Sequence, residues 1–155
     1  MNDGAGLLVD TVDAIANGNR SQGTPQNTME RDIQETINSA PKIFKQDCLI
    51  NWNKPAEQVR NFIRGLSPYP TAWTVLQNKD GKKLTLKIYG STVKPDIVLP
   101  PGKLIVDDSL HIYIGCIDAA LEITELQLEG RKTMPVADFL RGFRLKEEGW
   151  NIVME

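Results

Sequence analysis

Arg60 and Arg64 stand four residues apart, one helical turn, so both guanidinium groups share a face. Like charges at that spacing repel by roughly 0.2–0.5 kcal/mol. Such a pair is either solvated surface or a grip for an anion, and a phosphate is the anion that two guanidinium groups suit. Lys79, Lys82 and Lys83 crowd one polar loop. Residues 42–105 hold eleven bases and four acids, while residues 106–130 hold six acids and no base. The net charge of −2 hides that asymmetry. A basic block inside an acidic chain points to a polyanionic partner, unless folding sets the acids beside the bases.

Other chemistry is sparse. His111 is the one histidine, and Ile112-Tyr113-Ile114 follow it. With no acid or base partner to name, it reads as a structural or solvent-facing residue of a strand. Glu122, Glu125 and Glu129 read as the solvated side of another strand. Cys48 and Cys116 are far apart, with no C-x-x-C, and read as buried free thiols. No G-x-G-x-x-G, P-loop, G-x-S-x-G or metal-ligand cluster occurs, so no catalytic residue and no metal site is expected.

Val59, Phe62, Ile63 and Leu66 fall at i, i+3, i+4 and i+7, one apolar helical face opposite the arginines. Asn53 is the expected cap and Pro55 sits in the first turn. Gly65, Pro68 and Pro70 stop the helix, and Trp73 follows on a strand. Asp80-Gly81 predicts a hairpin leading into Leu84, Leu86 and Ile88, which alternate with Thr85, Lys87 and Tyr89. Residues 91–102, with three prolines, read as a connection. Residues 104–106 form a short strand, and Leu110, Ile112 and Ile114 alternate in another. Leu121 and Ile123 share a phase that Leu126 and Leu128 reverse, so a bulge or bend is expected at Thr124-Glu125. Pro135 opens a short helix with Val136, Phe139 and Leu140 inward, ended by Gly142. Residues 150–153 have no assigned place.

At the other end, residues 4–17 form a helix with Leu8, Val12 and Ile15 on one side and Gly18 closing it. So short a helix is marginal alone, and its stripe is expected to pack on a second copy of the chain or on the barrel. Residues 17–27 are a polar linker and 29–38 add a helical turn or two. A 155-residue chain, 41% hydrophobic and 25% charged, allows one soluble domain with a real core. No apolar run nears the ~20 residues that span a bilayer and no basic-then-apolar leader opens the chain, so a cytoplasmic protein is expected. Five or six short strands with one early and one late helix predict a mainly β fold with α elements, a small closed or partly open barrel.

Residues 52–74 run W-x-x-P-A-E-Q-V-R-x-x-I-R-x-L-x-P-Y-P-x-A-W-T, and residues 120–142 read ALEITELQLEGRKTMPVADFLRG. Both blocks resemble the C-terminal domain of methionyl-tRNA formyltransferases, the first its entry and the second its closing strand and helix. The resemblance implies an OB-like barrel over 42–155, a linker over 19–41, and over 1–18 the last helix of a truncated Rossmann-like catalytic domain. It implies that the whole enzyme formylates initiator methionyl-tRNA from 10-formyltetrahydrofolate during translation initiation. The family's Asn, His and Asp catalysts belong to the N-terminal domain, and its His-Ser-Leu-Leu-Pro-like motif has no match at His111. The chain alone is therefore expected to be inactive and to bind tRNA for a catalytic domain that it lacks.

On that reading Lys42 and Lys45, in an A-P-K-I-like entry, join Arg60, Arg64, Lys82, Lys83 and Lys87 as phosphate contacts. Arg131 and Lys132 stand behind them. Two other readings stay open. Related barrels occur in sugar-nucleotide formyltransferases and formyltetrahydrofolate dehydrogenases, where no RNA need bind. The barrel and the 4–17 helix could also serve packing or self-association alone, which the pI near 5.5 suits.

Overall fold

The computed structural model of the chain describes residues 3–18, 40–145 and 148–154. The chain divides into two compact units, Met1–Pro41 and Lys42–Glu155. Most of the expected 19–41 linker, and all of the turn expected within 29–38, lie outside the described residues. In the first unit, helix α1 runs Asp3–Ala16. Gly18 adopts φ +76° and donates its N–H to the Ile15 carbonyl, a left-handed stop that glycine adopts without a Cβ penalty. Leu8, Val12 and Ile15 are 65%, 55% and 60% exposed.

The second unit is a nearly closed antiparallel barrel with two helices. A 3-10 turn at Gln46–Cys48 precedes helix α2, Ala56–Leu66. Strands β1, Ala72–Gln77, and β2, Lys83–Lys94, form the hairpin around Gly81, which has φ +82°. Strands β3, Leu104–Val106, β4, Ile112–Gly115, and β5, Ala120–Leu128, continue the sheet. A two-residue strand β6, Met134–Pro135, pairs with β5 and leads into helix α3, Val136–Gly142. Strand β7, Asn151–Val153, closes on β1. The order is β3-β4-β5-β2-β1-β7, so β3 and β7 are the two edges. A cleft of about 390 Å³ lined by residues of both edges, among them Leu104, Val106, Trp150 and Asn151, marks where the barrel stays open.

The core follows the alternation. Leu76, Leu86, Ile88, Ile112, Ile114, Leu121, Ile123 and Leu126 are fully buried, and Val59, Ile63 and Leu66 of α2 join them. Trp52 is buried too, and its indole N–H donates to the Thr74 hydroxyl, so its polar end is satisfied. Phe139 stacks on Phe143 with ring centroids 4.8 Å apart, and Phe143 meets buried Trp150 at 5.6 Å, which seats the tail. The expected bulge lies at Thr124-Glu125: pairing passes from Ile88↔Leu126 to Gly90↔Glu125 to Ser91↔Ile123. Position 90 is glycine because a Cβ there would stand 2.5 Å from the Thr124 hydroxyl.

Several expectations are corrected. Asn53 caps nothing: its own N–H donates to the Asn51 side chain, and the N–H of Ala56 donates to Asp118 Oδ1 at 2.7 Å. The cap of α2 thus comes from the turn between β4 and β5, placing a carboxylate at the positive end of the helix. Residues 91–94 are strand, since β2 continues beyond its bulge to Lys94. Leu110 belongs to a turn, with φ 64°, and β4 starts at Ile112. Among the described residues the strands number seven.

Candidate nucleic-acid interface

The outward positions of β1 are Trp73, Val75 and Gln77, since Ala72, Thr74 and Leu76 point into the core. Register sets Trp73 opposite Lys87 of β2, and Lys87 opposite Gln127 of β5. Two grooves open on this outer face. The first, about 450 Å³, is lined by Ile43, Lys45, Tyr69, Trp73, Lys87 and Gln127 among others. The second, about 290 Å³, is lined by Arg60, Arg64, Ser67, Tyr89, Gly90 and Ser91, with Ile63 beneath. Both share the same two borders. Along β2, Thr85 and Lys87 face the first groove while Tyr89 to Ser91 face the second. Along the corner after α2, Tyr69 to Thr71 face the first and Ser67 the second. The grooves are therefore neighbours on one strip, and the Tyr89 hydroxyl, donating to Gln127 Oε1 at 3.1 Å, spans the wall between them.

The corner is held by Thr71. It adopts φ 77°, costly for a β-branched residue, while its N–H donates to the Leu66 carbonyl and its hydroxyl to the Pro68 carbonyl. Trp73 donates its indole N–H to the Lys45 carbonyl at 2.8 Å, and the Lys45 ammonium stands 5.5 Å from the Trp73 ring centroid. That contact draws Lys45 onto the first groove by a cation–π attraction.

The seven expected cations divide. Lys45 and Lys87 meet in the first groove, and Arg60 and Arg64 line the second. Arg60 is committed to Glu57 at 2.8 Å, whereas Arg64, Lys45 and Lys87 form no ion pair with the described residues. Glu129 also reaches the first groove, with Oε2 accepting the N–H of Thr85. Lys42 stands over the Phe44 ring at 5.5 Å and lines neither groove. Nor do Lys82, in the hairpin turn, and Lys83, at the first position of β2. Arg131 and Lys132 follow β5 on an exposed turn, and the Arg131 carbonyl accepts from Gln127 Nε2. The residues that the cation pattern passed over are Tyr69, Trp73 and Ser91. Trp73 was recoverable from strand alternation. Ser91 has a buried hydroxyl with no hydrogen-bond partner among the described residues, and only the fold shows that.

A second polar cluster occupies the far end of β2. Lys94 pairs with Glu122 at 2.8 Å. His111 Nδ1 lies 3.0 Å from Asp107 Oδ2, and its Nε2 lies 3.7 Å from Glu122 Oε1. Tyr113 donates its hydroxyl to Asp107. The sequence reading is corrected twice here: Glu122 is a 16% exposed ion-pair partner rather than solvated, and His111 has two carboxylates beside it. The bond from Glu122 raises the Lys94 pKa above its ordinary value. The His111 backbone N–H lowers that of Asp107, against an opposing effect of burial. Burial, then Asp107, raises Tyr113. Both cysteines are buried free thiols; burial, then Asp118, pushes Cys116 up to about 12. Among the described residues no group of His, Cys, Asp and Glu is arranged to hold a metal, and no helix is long and apolar enough to cross a membrane.

Barrel topology and outer-face grooves define a small OB-like module with a cation-lined strip on one side. Residues 42–144 match the family model described as formyl transferase, C-terminal domain, and the chain belongs to that family. It is 42% identical over 142 residues to the methionyl-tRNA formyltransferase of Parabacteroides distasonis, covering 91% of this chain and 43% of that protein. The Phocaeicola vulgatus protein of the same name is 44% identical over 145 residues, 93% of this chain and 44% of its own. The chain thus spans less than half the length of these relatives. Among solved structures, HypX from Aquifex aeolicus in complex with tetrahydrofolic acid superposes with a TM-score of 0.53 at 20% identity. That match covers 78% of this chain and 22% of HypX, a likeness of fold.

Proposed function

We propose that the barrel docks the RNA substrate of a methionyl-tRNA formyltransferase, gripping backbone phosphates so that the acceptor end reaches a catalytic site outside these residues. The observation that carries this is the neighbouring pair of grooves with Lys45, Lys87 and Arg64 unpaired among the described residues. Cations already neutralised would add little; cations left open release counterions when they meet phosphate. The relatives, from 37% to 44% identical, are named methionyl-tRNA formyltransferase, which supports methionyl-tRNA as the substrate. The family resemblance of residues 52–74 and 120–142 adds that this is the initiator tRNA, with 10-formyltetrahydrofolate as formyl donor of the whole enzyme in translation initiation. Formyl transfer itself is assigned to no residue here. The exposed stripe Leu8, Val12 and Ile15 is reserved on this reading for a second copy of the chain or for the remaining length of the whole protein.

Titration of the purified chain with initiator tRNA at several salt concentrations tests the proposal. With about four phosphates contacted, log K falls against log salt with a slope of roughly −3 to −4. An affinity indifferent to salt, or none, rejects it.

A further inference from the structure

Phosphate contact needs cations, and the first groove offers more than cations. Tyr69 is 89% exposed, a whole aromatic ring standing in solvent between Pro68 and Pro70. The corner that presents it is locked by the two Thr71 hydrogen bonds, so the backbone that carries the ring is set by the fold. Across the groove Trp73 is fixed by its N–H bond to the Lys45 carbonyl. The exposed Lys45 ammonium lies over that indole at 5.5 Å from the centroid, so a base that stacks there takes the ammonium's place and leaves it beside the nucleotide. Ile43 and Pro70 add apolar wall, and about 450 Å³ lies within the range of small-molecule sites. The one amide lining the groove is committed: Gln127 accepts from Tyr89 and donates to the Arg131 carbonyl. The groove therefore offers faces to stack on, with the Thr85 hydroxyl and the second Glu129 oxygen as the groups left to meet a base edge.

We propose that this groove takes a single unpaired base of the bound RNA, stacked on Tyr69 and Trp73, with Lys45 and Lys87 on its flanking phosphates. The proposal rests on the RNA reading above and names the subsite within it. A base inside an A-form duplex has no free face, so the occupant is a nucleotide from a loop or a single-stranded end. Stacking tolerates any base, because each has a π face.

Fluorescence anisotropy of the full chain with two RNAs of equal phosphate number, one blunt duplex and one carrying an unpaired tail with 2-aminopurine, tests it. Tyr69→Ala is expected to weaken binding of the tailed RNA about tenfold, within the range of one lost stack, with the salt slope unchanged. The 2-aminopurine quench is expected to disappear. Tyr69→Phe keeps both, and the unfolding midpoint of either variant stays at the parent value. Lys87→Met flattens the salt slope instead. If Tyr69→Ala binds as the parent does while Lys87→Met weakens binding, the base pocket is rejected and the RNA reading survives. An equal loss on duplex and tailed RNA makes Tyr69 a backbone contact and rejects the pocket as well. If the parent binds neither RNA, both readings fall together.

Discussion

One strand, β2, carries two opposite arrangements of charge. Before the bulge at Gly90, Lys87 faces solvent on a groove floor with no carboxylate pairing it among the described residues. After the bulge, Lys94 is tied to Glu122, which also lies beside His111 and so links β2, β5 and the β3–β4 turn. Both stretches hold lysines on the same sheet, yet one is left open and the other is closed on itself. An open cation gains little for the fold and is available to a ligand. A paired one holds strands in register and has nothing left to offer an anion. A count of basic residues cannot make that distinction; pairing across the sheet does.

The bulge separates the two regions, and breaking it is expected to have the largest effect. Gly90→Ala sets a methyl against the Thr124 hydroxyl, and overpacking of this kind costs about 1–3 kcal/mol. Denaturant unfolding measures it, and Thr124→Ala in the same chain is expected to restore part of the loss. Next comes the direct contrast of the two lysines. Lys87→Met is expected to make the salt slope of tRNA binding shallower by about 1. Lys94→Met is expected to leave that slope alone while lowering the unfolding midpoint. Equal effects of the two on RNA would erase the contrast. The smallest effect is acid dependence. Asp107 is held below its ordinary carboxyl value by the His111 backbone N–H. Its contribution to stability is present above 3.8 and is lost as pH falls from there through the lowered folded value. Thermal midpoints of Asp107→Asn are expected to fall less steeply with acid than those of the parent.

What could be read from residues alone was local. Val59, Ile63 and Leu66 carry their burial in their spacing, Asp80-Gly81 carries its hairpin, and the phase reversal between Ile123 and Leu126 carries its bulge. Long-range partners were not legible. Asp118 caps a helix that begins at Ala56, and no spacing rule reaches between them. Glu122 looks like any solvent-facing strand acid until register sets it opposite Thr92 and beside Lys94. The grooves were half visible: the cations drew attention, while Tyr69 passed as part of a helix stop because two prolines flank it. Residues 91–94 passed as loop because the bulge at Gly90 interrupts the alternation that would have extended β2.

The pairing of β7 with β1 sets a schedule for the chain during synthesis. Val75 emerges from the ribosome long before Val153, its partner, so the outer edge of β1 waits until synthesis has passed position 153. In that interval a strand with free backbone amides is open to neighbouring nascent chains, and slow or stalled translation past α3 prolongs the risk. The closing three residues therefore act as a latch on solubility as much as on shape.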